Sequence, residues 1–161
     1  MILLMRLLAH SGLLLVLCLA ARNVLTAEKI REALQNHVPK SGVFPPADAG
    51  IHLDGDLVVS DPINRRGALR KSQHSKRHYF AMLPYGMVWY HGAPADVRDI
   101  PVGTHMHGRF LLPLEGEENT IPIAKEDLNV NSDYRYNHAI LLEDDASFYS
   151  RRGRSWKVIA V

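Results

Sequence analysis

Hydrophobic residues follow three successive patterns along the chain. Residues 7–21 are almost continuously apolar, broken only by His10, Ser11 and Gly12. Between Glu28 and Val38, Ile30, Ala33, Leu34 and Val38 recur at helical spacing. Glu28 and Glu32 sit in the early turns of that predicted helix, where the dipole favours acids, and Pro39 ends it. Lys40 to Gly50, with Pro45-Pro46, reads as a linker. From Ile51 onward the spacing becomes strand-like. Predicted strands cover Ile51–Ser60, His78–Leu83, Met87–His91, Thr104–Leu112, His138–Leu142 and Trp156–Val161. Pro84-Tyr85-Gly86 has turn chemistry, so the second and third strands form a predicted hairpin.

Short strands separated by turn signals, after one opening helix, predict a mainly β chain. Five or six strands suit a small closed or nearly closed barrel, which leaves few exposed edges. Two runs carry a resemblance. Gly55-Asp56-Leu57-Val58-Val59 opens a strand, and the run from Ala95 to Pro101 passes through Val102-Gly103-Thr104 into the next one. This resembles the Asp-Leu/Ile, one residue, Val-Gly-Thr lead-in of uncharacterised exported bacterial domains of the oligonucleotide/oligosaccharide-binding (OB) fold. The resemblance spans roughly Ile51 to Val161 and implies an OB-like barrel of five or six strands, not an activity. Two departures are the long basic stretch from Asp61 to Arg77 and the stop at Val161, within the last predicted strand. The stop fits a shortened form of a longer relative.

The apolar segment changes the picture of charge and compartment. Arg6, the apolar run and the small residues ending at Ala27 have the order of a secretory signal peptide. An uncleaved N-terminal anchor is the alternative, although the stretch is shorter than the ~20 apolar residues of a membrane span. The expected organisation is a signal peptide over 1–27, a helix and linker over 28–50, and the barrel over 51–161. The segment holds the only cysteine, Cys18, and two bases, Arg6 and Arg22. Those two account for the excess of 19 Lys/Arg over 17 Asp/Glu, so the chain from Glu28 is formally neutral and has no thiol. An exported domain of this kind, periplasmic, cell-envelope or secreted, is stabilised by burial and not by disulfides.

On a neutral domain, local charge stands out. Asn64 to His78 holds Arg65, Arg66, Arg70, Lys71, Lys76 and Arg77 with no acid. Read as a loop between the first two strands, it is a candidate clamp for anions. Trp89 and Tyr90 on a neighbouring strand are candidate stacking surfaces, and Arg109 is a further candidate contact. The expected partners are acidic polysaccharide, wall polymer or an anionic lipid surface. Export argues against nucleic acid, and a protein partner in the envelope remains an alternative.

Among nine histidines, His105 and His107 form an H-x-H pair whose rings share one strand face and are candidate metal ligands. A third ligand is needed, for which His91 and His138 are the candidates, while Arg109 beside the pair opposes a cation. Glu143-Asp144-Asp145 reads as a turn between strands. No G-x-S-x-G elbow, phosphate-binding glycine loop or mature cysteine is present, and no motif calls for a cofactor. The sequence therefore predicts a non-catalytic exported binding module acting through the basic 64–78 segment. A structural envelope domain and a metal carrier or metal-dependent hydrolase using His105 and His107 are the alternatives.

Overall fold

The computed structural model describes residues 27–46, 48–117, 121 and 135–154. The predicted signal segment up to residue 26 and the predicted strand Trp156–Val161 lie outside the described residues. No helix among the described residues is long and apolar enough to cross a membrane. Two compact units are present, divided after Gln35. The first contains helix α1, residues 27–35, which starts one residue before the predicted helix and stops short of Pro39.

The second unit is built from β1 (Ile51–Asp61), β2 (Arg66–Arg70), β3 (His78–Tyr90), β4 (Ala93–Ala95), β5 (His105–Leu111), β6 (His138–Asp144) and α2 (Asp145–Arg151). β1 pairs with β2 and β5, β2 with β3, β6 with both β3 and β5, and the five strands close on themselves. All these pairings are antiparallel except β3 with β6, which is parallel. β4 folds back on the end of β3 as an extra antiparallel strand. The result is a closed mixed barrel of five strands compatible with an OB-like fold.

Period-two alternation, shifted in β6 by the irregularity where it pairs with Arg109 and Phe110, explains which side chains fill it. Leu57, Leu69, Phe80, Val88, Met106, Phe110, Ala139 and Leu142 point inward and are buried, and Val97 and Ile100 of the β4–β5 connection join them. Phe80 and Phe110 lie 5.9 Å apart between ring centroids. They fit because glycines face them. A Cβ on Gly67 would come within 2.8 Å of Phe80 Cζ and 2.7 Å of Val59 O, and one on Gly108 would collide with the Phe110 ring.

Three sequence expectations give way to tertiary structure. Arg66–Arg70 is a strand, not loop: Gly67, Ala68 and Leu69 are all buried, and their charged neighbours flank them. His78–Tyr90 is one long strand, not a hairpin. Pro84-Tyr85-Gly86 falls at the irregularity where the β3–β6 register shifts between Met82 and Met87. Arg65 explains why the chain bulges there instead of turning. Its guanidinium donates to Leu83 O (3.3 Å), Pro84 O (3.4 Å) and Gly86 O (3.0 Å), satisfying carbonyls that the interrupted ladder leaves free. Finally, Glu143-Asp144-Asp145 joins a strand to a helix. Asp144 caps α2 by accepting from Ser147 N, with Asp145 in the first turn and Arg151 in the last.

Candidate functional site

The outer face of β1, β5 and β6 is where polar side chains converge. Ladder register sets Asp54 opposite His107 and His107 opposite Glu143, while His52 lies opposite Arg109 and Asp56 opposite His105. Met106, Gly108 and Phe110 alternate with these residues and face the core, as the sequence predicts. α2 packs over this face. Phe148 stacks on His107 at 3.7 Å between centroids and 14° between planes, which leaves His107 buried although it points away from the barrel interior.

His107 Nε2 lies 2.8 Å from Asp145 Oδ1. An ionised carboxylate only accepts, so Nε2 carries the proton in that pair and Nδ1 is left buried without a hydrogen-bond partner. His105 Nδ1 lies 3.0 Å from Asp56 Oδ1, and its Nε2 is 3.9 Å from Asp54 Oδ2. One ligating atom from each of His105, His107 and Asp145 lies within 4.8 Å of the others. A tetrahedral centre with bonds of about 2.0–2.1 Å sets its ligands roughly 3.3 Å apart, so a modest inward movement would close the group on an ion. His52 stacks on His107 at 5.6 Å and lies 5.5 Å from Phe148. Burial lowers its pKa, and the charge of His107 lowers it further; Asp54 opposes this, while Arg109 and Arg152 add to it.

Beside the histidines, Glu143 is 2% exposed and holds α2 in place. Its Oε2 accepts from Arg152 at 3.1 Å, and its Oε1 faces Arg151 Nη1 at 3.0 Å. Arg152 also donates to Phe148 O at 2.9 Å and lies 3.7 Å over the Phe148 ring. Arg151 lies 4.8 Å over the ring of Trp89. Backbone anchors complete the dock: His91 N donates to Asp144 Oδ2 and Gly92 N to Ser147 Oγ.

The third group beside His105 and His107 is thus Asp145, not His91 or His138. His91 pairs with Asp144 at 3.4 Å. His138 is held by Asn137 and Glu117 near the opposite end of β6. Arg109 lies beside His52, and its hydrogen bond is a long one to Ala49 O, at 3.4 Å.

The six basic residues of the 64–78 segment do not form a single free patch. Arg65 grips the β3 bulge and pairs with Asp96 at 3.6 Å. Arg66 and Arg70 lie on β2 directly across the ladder from Asp61 and Asp56. A hydrogen bond from Asn64 holds the Asp61 carboxyl below the usual range, and Arg66 adds to this. Lys71 lies 4.0 Å from Asp54, Arg77 donates to Tyr79 Oη at 3.2 Å, and Lys76 is exposed. Trp89 and Tyr90 lie at the end of β3 away from Arg77. Trp89 belongs to the α2 dock, and Tyr90 packs against the core.

Asp145 and the β1 residues His52, Asp54 and Asp56 are the participants that the sequence reading missed. An alternating His52-x-Asp54-x-Asp56 signal was present in the chain. That this strand pairs with β5 in a register that lines these residues up with His105 and His107 was not readable from local pattern. Comparison with protein-family models, with curated proteins and with solved structures returns no match.

Proposed function

We propose that this barrel is a metal-binding domain with its centre at His105, His107 and Asp145, taking a divalent transition ion such as Zn²⁺ or Cu²⁺. The observation that carries this reading is the convergence of those three side chains, from β5 and α2, within 4.8 Å. Two imidazoles and one carboxylate, with no thiol in the chain after Cys18, form a nitrogen and oxygen donor set suited to Zn²⁺, Cu²⁺ or Ni²⁺. Asp56 at His105 Nδ1 supplies the outer carboxylate that commonly orients a ligating imidazole, and Asp54 adds negative charge beside it. The order of the N-terminal segment supports an exported domain, and the barrel topology supports a place among exported OB-like domains.

Untagged protein starting at Glu28, stripped with chelator and titrated calorimetrically with Zn²⁺ and Cu²⁺, tests the proposal. One ion per chain is expected, with at least tenfold weaker binding for His107→Ala and for Asp145→Asn. Equal binding by wild type and a His105→Ala/His107→Ala double variant overturns it.

A second reading is electrostatic adhesion to an acidic polymer through the β2–β3 connection. The side chain of Lys71 is 75% exposed and Lys76 is exposed too. Asp54, 4.0 Å from Lys71, and Asp56, across the ladder from Arg70, lie close enough to weaken that field, which ranks it second. Saturable, salt-sensitive binding to acidic polysaccharide, abolished by Lys71→Gln/Lys76→Gln, is its expected signature. Binding unaffected by those substitutions removes it.

A further inference from the structure

We propose that the metal centre includes a subsite for a phosphate group, formed by Arg109 and His52. This rests on the metal reading of His105, His107 and Asp145. The face around His107 is divided by charge. Asp56 stands opposite His105 and Asp54 opposite His107, while Arg109 and His52 stand two residues further along their strands and directly opposite each other.

Arg109 is a half-buried guanidinium whose single hydrogen bond among the described residues is the long one to Ala49 O. That leaves most of its planar donor fork unused, and the fork matches phosphate oxygens. The nearby cation Arg152 is, by contrast, committed to Glu143 and Phe148 O. His52 lies 5.6 Å from the His107 ring, so a group held by Arg109 and His52 would lie beside an ion at His107. Three protein ligands leave at least one position open on a four-coordinate ion. An open metal position to accept one oxygen lone pair, with a guanidinium fork and an imidazole N–H to donate hydrogen bonds, gives three separate partners to one tetrahedral oxyanion. A carboxylate has only two oxygens to offer them.

Co²⁺ in place of the native ion provides a visible spectrum that reports the metal's inner ligands. Co²⁺-loaded protein starting at Glu28 would be titrated with inorganic phosphate, with glycerol phosphate and with acetate. The expected result is a saturable spectral change with both phosphates, at least tenfold tighter than with acetate. Tighter binding of glycerol phosphate than of inorganic phosphate would identify a phosphate monoester as the ligand; the reverse order would identify the free ion. Arg109→Gln is expected to weaken phosphate at least tenfold and Arg109→Lys to restore only part of it, with Co²⁺ stoichiometry reporting that each variant is folded. Full uptake of Co²⁺ with no phosphate response, equal response in Arg109→Gln, or acetate binding as tightly as phosphate overturns the subsite and leaves the metal reading intact. No uptake of Co²⁺ overturns both.

Discussion

Arg65 offers a direct contrast between a charge that binds a ligand and a charge that builds the fold. Its backbone has φ of +51°, uncommon for a residue with a side chain, and its guanidinium reaches three carbonyls across the β3 bulge. Replacing it with Met keeps much of the aliphatic stem and removes every donor. The 3.0 Å bond to Gly86 O is the best formed, and a bond from a charged donor contributes about 1.5–3 kcal/mol. The contacts at 3.3 and 3.4 Å add only fractions, because they are long and Pro84 is exposed to water. The ion pair with Asp96 at 3.6 Å contributes at most about 1 kcal/mol. Arg65→Met should therefore lower stability by about 2–3 kcal/mol, or roughly 10 °C in Tm for a domain of this size. Arg65→Lys should fall between the two, since an ammonium cannot fork. Urea unfolding followed by Trp fluorescence measures the change, with binding to acidic polysaccharide recorded on the folded protein. An unchanged midpoint together with lost polysaccharide binding would refute the structural assignment and return Arg65 to the ligand-contact role its sequence context suggests.

Three further outcomes follow from the same structure. Arg151→Ala/Arg152→Ala leaves Glu143 buried without a partner and should cost about 3 kcal/mol or more, whereas Glu143→Gln leaves two arginines free to reach water and should cost clearly less; equal losses in chemical denaturation would contradict this. Gly67→Ala forces a methyl toward Phe80 and Val59 O and should destabilise by about 1–3 kcal/mol, so a variant as stable as wild type would show that the core has slack there. Burial lowers the pKa of His138, outweighing the hydrogen bond and charge of Glu117, which raise it. The unfolded chain therefore binds this proton more readily than the native one, and stability should fall as pH drops below about 6.5, levelling off once the native histidine is also protonated. His138→Gln should flatten that part of the stability–pH curve, and an unaltered slope would remove His138 from the account.

Strands whose inward face is plainly apolar were legible from sequence. β1 and β5 follow from alternation around Leu57 and at Met106 and Phe110, and β6 from the apolar run Ala139–Leu142. β2 was hidden because arginines flank its three buried residues, and a strand that short has little alternation to show. The β3 bulge was read as a turn because Pro84 and Gly86 carry turn chemistry; the compensating donor lies 18 or more positions away in sequence. α2 is only seven residues long and begins in an acidic cluster. Its cap signal, Asp144 three residues before Ser147, is nevertheless present and works as such. At the candidate site, the shared face of His105 and His107 followed from strand geometry. Asp145 did not, because its arrival depends on β6 lying beside β5 and on α2 folding back over both.

The placement of β6 also governs how the chain reaches its folded state. Among the described residues, the last strand in sequence is inserted between β3 and β5, pairing in parallel with one and antiparallel with the other. Until residues 138–144 are available, the facing edges of β3 and β5 have no partner, and the preceding strands can form only an open, curled sheet. Closure joins β3 to a segment roughly fifty residues downstream, a long loop that makes productive assembly slow relative to local pairing. During that interval two unprotected edges are exposed to other copies of the chain. Truncation upstream of His138 should therefore yield a strongly self-associating sheet in place of a smaller soluble barrel.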